Sequence, residues 1–113
     1  MNLIKVAVVG AMMISGSAMA HLYQAPQEKV TLYQYGNNNG ADVVQTRSDD
    51  STIYSLQSGT KNYVKAFQRA DDADLTVKQY GYNNYANVSQ TRDNASAYVE
   101  QSGNRNWANV TQN

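Results

Sequence analysis

The residues of this chain that could do chemistry are side-chain amides, and they recur at fixed spacing. Each copy of the pattern reads Gln-x-Gly-x-x-Asn-x-(Ala/Val)-x-x-x-Gln, and successive copies start 23, 22 and 22 residues apart. A carboxamide carries both a donor and an acceptor, so identical amides stacked above one another can satisfy each other and form a ladder through which copies assemble. The ladder positions are Gln34, Gln45, Gln57, Gln68, Gln79, Gln90, Gln101, Gln112, Asn39, Asn62, Asn84 and Asn106, and the turn glycines are Gly36, Gly59, Gly81 and Gly103.

Residues typical of enzymes and metal sites are sparse. His21 is the single histidine and cysteine is absent, so a Ser-His-Asp set and a cysteine-based zinc site are both excluded. The acidic segments at 49–50 and 71–74 lack the glycine-rich nonapeptide of calcium-binding β-rolls, and we interpret them as solvated loops. We therefore expect no enzymatic activity, no cofactor and no metal.

The repeat requires elements that bring equivalent residues into register. A fixed period of this size is typical of an array in which each unit buries its face against its neighbours. Spacing of about 11 residues between glutamines would also suit a right-handed coiled coil. The Gly and Asn inside every copy disfavour a helix, whereas the flanking residues alternate with period two, as strands do.

The fold class predicted from this pattern is all-β. We expect a β-solenoid of four strand-turn-strand repeats that forms two stacked parallel sheets, cross-β-like, with rungs about 4.8 Å apart. Small apolar residues and the glutamines share the inner face, and charged residues lie outside. The four repeats span about 30–50, 51–72, 73–94 and 95–113.

The N-terminal segment has the pattern of a secretory signal peptide over residues 1–20. Lys5 precedes an apolar run too short to span a bilayer, and Ala18-Met19-Ala20 matches a cleavage site. Residues 21–29, which contain the only proline, are predicted to be a flexible leader. The sequence thus predicts a secreted protein.

Composition narrows the classes of partner. After residue 20 the chain has eight Lys and Arg against nine Asp and Glu, which provides no electrostatic footprint for nucleic acid. The same segment contains 12 Asn, 10 Gln and 9 Tyr but only 14 Leu, Ile, Val or Phe residues. A polar chain of low charge with this bias favours β-stacking, so we expect the partner to be other copies of the chain, in an open-ended homopolymer.

One outward position carries an aromatic residue in three repeats. Tyr63, Tyr85 and Trp107, here called the aromatic column, each precede the small apolar residue of the second arm. We predict a stack that runs across the rungs and stabilises the sheet. A stripe that binds surfaces, carbohydrates or dyes is the alternative interpretation.

The repeats resemble those of curlins, the subunits of bacterial curli fibres. The segments that carry the resemblance are Leu32-Tyr33-Gln34-Tyr35-Gly36, Gly40-Ala41-Asp42-Val43 and Leu75-Thr76-Val77-Lys78-Gln79-Tyr80-Gly81, within a similarity that covers about residues 30–113. The resemblance implies a functional amyloid that forms extracellular fibres at the bacterial cell surface for adhesion and biofilm matrix. It also implies other curlin subunits and an outer-membrane export channel as partners.

Two functional expectations stay open at this point. The chain is expected to be a fibre subunit, either the major subunit or the nucleator. The alternative is a secreted, monomeric β-solenoid that binds ice, a glycan or another surface.

Overall fold

The computed structural model describes residues 8–13, 18–24, 29–46 and 50–113. All of its regular elements are strands, which follow one another as β1 (Val8–Met13), β2 (Ala18–Gln24), β3 (Lys29–Asn37), β4 (Asn39–Gln45), β5 (Thr52–Thr60), β6 (Tyr63–Gln68), β7 (Asp74–Tyr82), β8 (Tyr85–Gln90), β9 (Ser96–Asn104) and β10 (Trp107–Gln112). Over these described ranges we find no helix of the length and apolarity needed to cross a membrane.

The strands alternate between two parallel sheets. Odd-numbered strands form one sheet in the order β1-β3-β5-β7-β9, and even-numbered strands form the other in the order β10-β8-β6-β4-β2. Each odd strand and the even strand after it therefore make one rung, and the next rung stacks directly upon it. The predicted fold class, an all-β solenoid with two stacked parallel sheets, is confirmed.

The four repeats lie in register, so that each strand residue is opposite the equivalent residue of the neighbouring repeat. Gln34 pairs with Gln57, Gln57 with Gln79, and Gln79 with Gln101 along the first sheet. The first repeat is one residue longer than the others, and its extra residue falls in the connection that follows β4 and precedes β5. Because the insertion lies in a connection, it leaves the inner and outer faces of every strand unchanged.

The core lies between the sheets and consists of small and medium apolar side chains. Apart from Thr31 and the C-terminal ends of β3, β5 and β7, every second residue along β3 to β8 is buried, as expected when alternate side chains face opposite sides of a strand. Buried apolar residues from both sheets form one cluster, made of Val30, Leu32, Ala41, Val43, Ile53, Val64, Ala66, Leu75, Val77, Ala86, Val88, Ala97 and Val99. Each rung therefore covers the apolar surface of the rungs beside it.

The strands β1 and β2 form a rung below the first repeat. The pairing of β1 with β3 is irregular between Val8 and Ala11, and it places Met13 opposite Gln34. In the first sheet the uniform register thus begins with β3, whereas in the second sheet β2 already pairs with β4 without a shift. The predicted signal peptide and leader overlap β1 and β2, with residues 1–7, 14–17 and 25–28 outside the described residues, and cleavage after Ala20 stays a prediction.

Replacing Ser55 with Val should stabilise the protein. Ser55 is 1% exposed and lies between Leu32 and Val77 on neighbouring strands, in a column otherwise filled by larger apolar side chains. Two additional buried carbon groups should raise the free energy of unfolding by about 1 kcal/mol, visible as a higher guanidinium midpoint. Ser58→Val, on the outer face of the same strand, is the control; an equal gain there would contradict the explanation.

Candidate assembly site

The first ladder consists of glutamines on the odd strands. Gln34 Nε2 donates to Gln57 Oε1 at 2.7 Å, Gln57 to Gln79 at 3.0 Å, and Gln79 to Gln101 at 2.8 Å. Gln57 and Gln79 are fully buried. A buried amide without partners is costly, so these side chains depend on the equivalent residue one rung away.

The same glutamines also join the two sheets. The second N–H of Gln57 donates to the Gly40 carbonyl at 2.8 Å, and Gln79 donates to the Tyr63 carbonyl at 3.1 Å. Gly40 and Tyr63 lie on, or at the start of, strands of the opposite sheet. Each glutamine therefore bonds to the rung above with one N–H and to the opposite sheet of the rung below with the other.

A second ladder runs along the even strands. Gln45 donates to Gln68 at 2.7 Å, Gln68 to Gln90 at 3.0 Å, and Gln90 to Gln112 at 2.8 Å. The remaining N–H groups again bond to backbone carbonyls where the chain returns to the first sheet, for example Gln45 to Ser51 at 3.0 Å and Gln68 to Ala73 at 2.8 Å. The two ladders thus stand at the two ends of the apolar core.

The asparagines act differently from the glutamines. Asn62 donates through Nδ2 to the Ser58 carbonyl in its own turn at 3.2 Å and to the Gly81 carbonyl of the next rung at 3.1 Å. Its Oδ1 accepts the backbone N–H of Asn84 at 3.1 Å. The sequence grouped these residues with the amide ladder, but in the structure each asparagine bonds to backbone and closes a turn. Asn39 and Asn84 make the equivalent contacts, and Asn106, on the last rung, makes the one to its own turn, with the Ser102 carbonyl.

The glycine column allows the turns to stack closely. Gly36, Gly59 and Gly81 have φ values of 104°, 124° and 114°, which disfavour any residue with a Cβ. A Cβ added at Gly36 would lie 2.0 Å from the carbonyl oxygen of Gly59, and one at Gly81 would lie 2.2 Å from that of Gly103. A side chain at these positions would therefore separate the rungs.

A second column of unusual backbone lies just before the asparagines, and the sequence did not predict it. Asn38, Lys61, Asn83 and Arg105 have φ between 56° and 58°, in the left-handed region. Only asparagine among these residues favours that region, so the mixed residue types give no signal in sequence. The register alone brings them to one corner.

The fourth rung ends both ladders with unused donor positions. Gln101 donates to the Tyr85 carbonyl at 3.1 Å and Gln112 to the Ser96 carbonyl at 3.2 Å, whereas lower glutamines donate a second bond to the rung above. A Cβ added at Gly103 would meet only Asn106 Nδ2, at 3.5 Å. In the first repeat, Gln45 Oε1 is buried and has no hydrogen-bond partner among the described residues.

The outer faces carry most of the aromatic residues. In the aromatic column the rings of Tyr63 and Tyr85 are stacked, with centroids 5.5 Å apart and planes 7° apart. Trp107 follows in register and is 68% exposed. Partial burial, the Asp42 carboxylate and Tyr85 all raise the pKa of Tyr63 above its ordinary value.

The acidic residues of the loops are solvent-exposed where the structure describes them, and residue 49 lies outside the described residues. Asp50, Asp71, Asp72 and Asp74 are exposed, and Asp93 accepts the backbone N–H of Asp71 at 3.0 Å. Among the described residues no group of three or more His, Asp or Glu side chains could hold a metal ion. Comparison with known proteins adds no further identification, since no protein-family model and no curated protein matches this chain.

Replacing Gln79 with Leu should destabilise the stack more than the small change in side-chain size suggests. The change leaves the Gln57 amide, Gln101 Oε1 and the Tyr63 carbonyl each without one partner, which should cost on the order of 3 kcal/mol. The guanidinium midpoint measures this loss. Lys78→Leu, one residue away on the outer face, should change stability by no more than about 0.5 kcal/mol, and equal effects from the two variants would contradict the ladder's role.

Proposed function

We propose that this protein is a subunit of an extracellular amyloid fibre, in which copies stack end to end and continue the solenoid. One observation carries the proposal. The fourth rung exposes the same hydrogen-bonding groups through which each lower rung bonds to the rung above it, and there these groups are unused. A fibre built this way would serve adhesion and biofilm matrix at the bacterial cell surface, with this chain as major subunit or nucleator.

The ladders support stacking because their bonds all run in one direction. Six glutamine-to-glutamine bonds are found among the described side chains, and in each the donor lies on the lower rung and the acceptor on the upper rung. A second copy placed above the fourth rung would bring Gln45 Oε1 over Gln112 Nε2. That contact would give a partner to the buried oxygen that has none among the described residues.

The turn supports the same arrangement. Along the array each glycine lies under the carbonyl of the next glycine, and the space above Gly103 is open. Gly36 of a second copy would occupy that space and continue the column. Exposed strand edges with unpaired backbone groups are templates for such addition.

The predicted signal cleavage fits this assembly. In the full chain the strands β1 and β2 cover the lower edge of β3 and β4. Cleavage after Ala20 would remove β1 and the first three residues of β2. The mature chain would then expose the lower edge of β3 and of the start of β4. The remaining His21–Gln24, which pairs with Asp42–Gln45, would have to leave β4 before a second copy could stack there. The resemblance to curlins supports export through an outer-membrane channel and seeding by a related subunit.

The proposal predicts fibres from the chain that starts at His21. Purified protein should convert to fibres after a lag, and their diffraction should contain reflections at about 4.8 and 10 Å. Sedimentation velocity measured over hours follows the loss of monomer. A stable, cooperatively unfolding monomer that forms no fibres would overturn the proposal and favour the monomeric binding solenoid.

Replacing Gly103 with Ala should stop growth at the end of the stack. The backbone strain of Gly103→Ala should equal that of Gly81→Ala, because the two φ values are 112° and 114°. Within one chain only the new methyl group of Gly81→Ala would meet a carbonyl, at 2.2 Å, whereas that of Gly103→Ala would meet one only when a second copy stacks above it. We expect seeded elongation by Gly103→Ala to slow at least about tenfold, the effect of about 1.4 kcal/mol on a rate.

A mixing experiment separates this block from misfolding. Wild-type seeds should accept one Gly103→Ala subunit through its intact first rung and then stop, so small amounts of the variant should inhibit wild-type growth followed by light scattering. Gly81→Ala, which damages its own fold, should inhibit poorly. If wild-type protein elongates at its normal rate in the presence of Gly103→Ala, copies do not stack on this turn.

A further inference from the structure

We propose that Asn39 is a site of self-modification, at which the chain loses its capacity to assemble if it stays unfolded. Asn39 and Gly40 form the only Asn-Gly pair in the sequence. The equivalent asparagines of the other repeats are followed by Tyr63, Tyr85 and Trp107. The modification requires only the fold described above, whereas its effect on growth rests on the proposed fibre.

The reaction is intramolecular deamidation, which requires water as its only co-reactant. The backbone nitrogen of Gly40 attacks Cγ of Asn39 and loses its proton, while the side-chain NH2 takes up a proton and leaves as ammonia. Water then opens the resulting succinimide at either carbonyl, which yields aspartate or an isoaspartyl residue whose backbone runs through Cγ. Glycine favours the attack because it has no side chain to obstruct its nitrogen and adopts conformations closed to other residues.

The backbone of the folded chain protects this pair from the reaction. Asn39 and Gly40 begin β4, and the N–H of Gly40 donates to the Asn62 carbonyl of the next rung at 2.8 Å. The succinimide ring requires the Gly40 nitrogen and the Asn39 side chain to be eclipsed about the Cα–C bond. The extended conformation of a strand, with ψ of about +115 to +135°, holds them apart. Asn39 is also only 2% exposed, so the folded state lacks both the geometry and the water that the reaction needs.

The side chain of Asn39 is itself held in place by hydrogen bonds. Its Nδ2 donates to the Tyr35 carbonyl at 2.8 Å and to the Gly59 carbonyl at 3.1 Å. Its Oδ1 accepts the backbone N–H of Asn62 at 3.0 Å. Movement of Cγ toward the Gly40 nitrogen would break these bonds, so the reaction requires this turn to open. Asn39 should therefore react only in the fraction of chains in which the first repeat is unfolded.

The product does not fit the first rung. A carboxylate at position 39 has no N–H to donate, and it would face the Tyr35 and Gly59 carbonyls as a buried, unpaired charge. An isoaspartyl residue would add one carbon to the backbone and disturb the alternation of inner and outer side chains in β4. In the proposed fibre the first repeat binds the fourth rung of another copy, so the damage lies at the stacking surface. Chains that stay unfolded would thus lose the ability to elongate fibres, whereas assembled chains would keep it.

Ageing in two states tests the modification itself. The chain from His21 is kept unfolded in guanidinium at mildly alkaline pH, and an equal sample is kept folded at the same pH. Mass spectrometry of peptides then measures the exchange of NH2 for OH at Asn39, and enzymatic methylation detects isoaspartate. We expect Asn39 to be modified at least about tenfold more slowly in the folded sample, because the reaction follows the open fraction.

Gly40→Tyr is the matched variant for the reaction. Tyrosine occupies this register position in the next two rungs, so the strand accepts it, and its side chain obstructs the nitrogen. The variant should lose most of the modification in guanidinium. After ageing and dilution onto wild-type seeds, the wild-type chain should lose elongation in proportion to its modified fraction. Gly40→Tyr should keep the elongation rate of its own unaged sample.

Asn39→Asp produces one of the two products directly. It should slow seeded elongation at least about tenfold, the effect of about 1.4 kcal/mol on a rate. It should also lower the guanidinium midpoint of the folded chain, because two carbonyls lose their donor. Asn37→Asp places the same charge on an exposed residue of the neighbouring strand end, and it should change neither measurement.

The outcomes separate the modification from the fibre. Equal modification of Asn39 in the folded and unfolded samples, or an equal reaction in Gly40→Tyr, would overturn the proposed site. Normal elongation and an unchanged midpoint for Asn39→Asp would overturn its effect on assembly. A folded chain that forms no fibres would overturn the proposed function alone. The slower reaction in that folded chain and the lower midpoint of Asn39→Asp would then still support the site.

Discussion

A carboxamide buried between two sheets must form its hydrogen bonds within the protein. Here its main hydrogen-bond partner is the equivalent residue of the neighbouring rung. Gln57 and Gln79 show the consequence, since each is fully buried and each is bonded to a glutamine above and a glutamine below. A shift in register by one residue would replace these partners with apolar or outer-face side chains. The parallel, in-register arrangement is therefore required by the core itself.

Other features of the fold keep the rungs close enough for those bonds to form. The glycine column removes the side chains that would push neighbouring turns apart, and the asparagines fix each turn to the carbonyl of the turn above. The apolar positions of the second arm are alanine and valine, small enough for two sheets to approach. Charged residues such as Lys65 and Asp72 are confined to the outer face and the connections, where water solvates them.

Much of this arrangement could be predicted from the sequence because the residue types recur with two simple periods. The 22-residue spacing indicates the rung, and the period-two alternation around Gln34 or Gln79 indicates which side chains face inward. Two details could not be predicted. Asn62 bonds to backbone groups, whereas Gln57 bonds to other glutamines. This difference depends on a side chain that is shorter by one methylene group and on its place in a particular turn. The left-handed conformation of Lys61 and Arg105 is imposed by their neighbours and contradicts their own preference.

The common direction of the glutamine bonds has an electrostatic consequence. In all six bonds the N–H lies below and the C=O above, so the amide groups are aligned head to tail along the stacking axis. Aligned peptide dipoles of about 3.5 D add up in a helix, and aligned side-chain amides should add up in the same way. A long stack would then be a polar rod, whose fourth-rung end carries partial positive charge and whose first-rung end carries partial negative charge. Its two ends would attract different ions and grow at different rates.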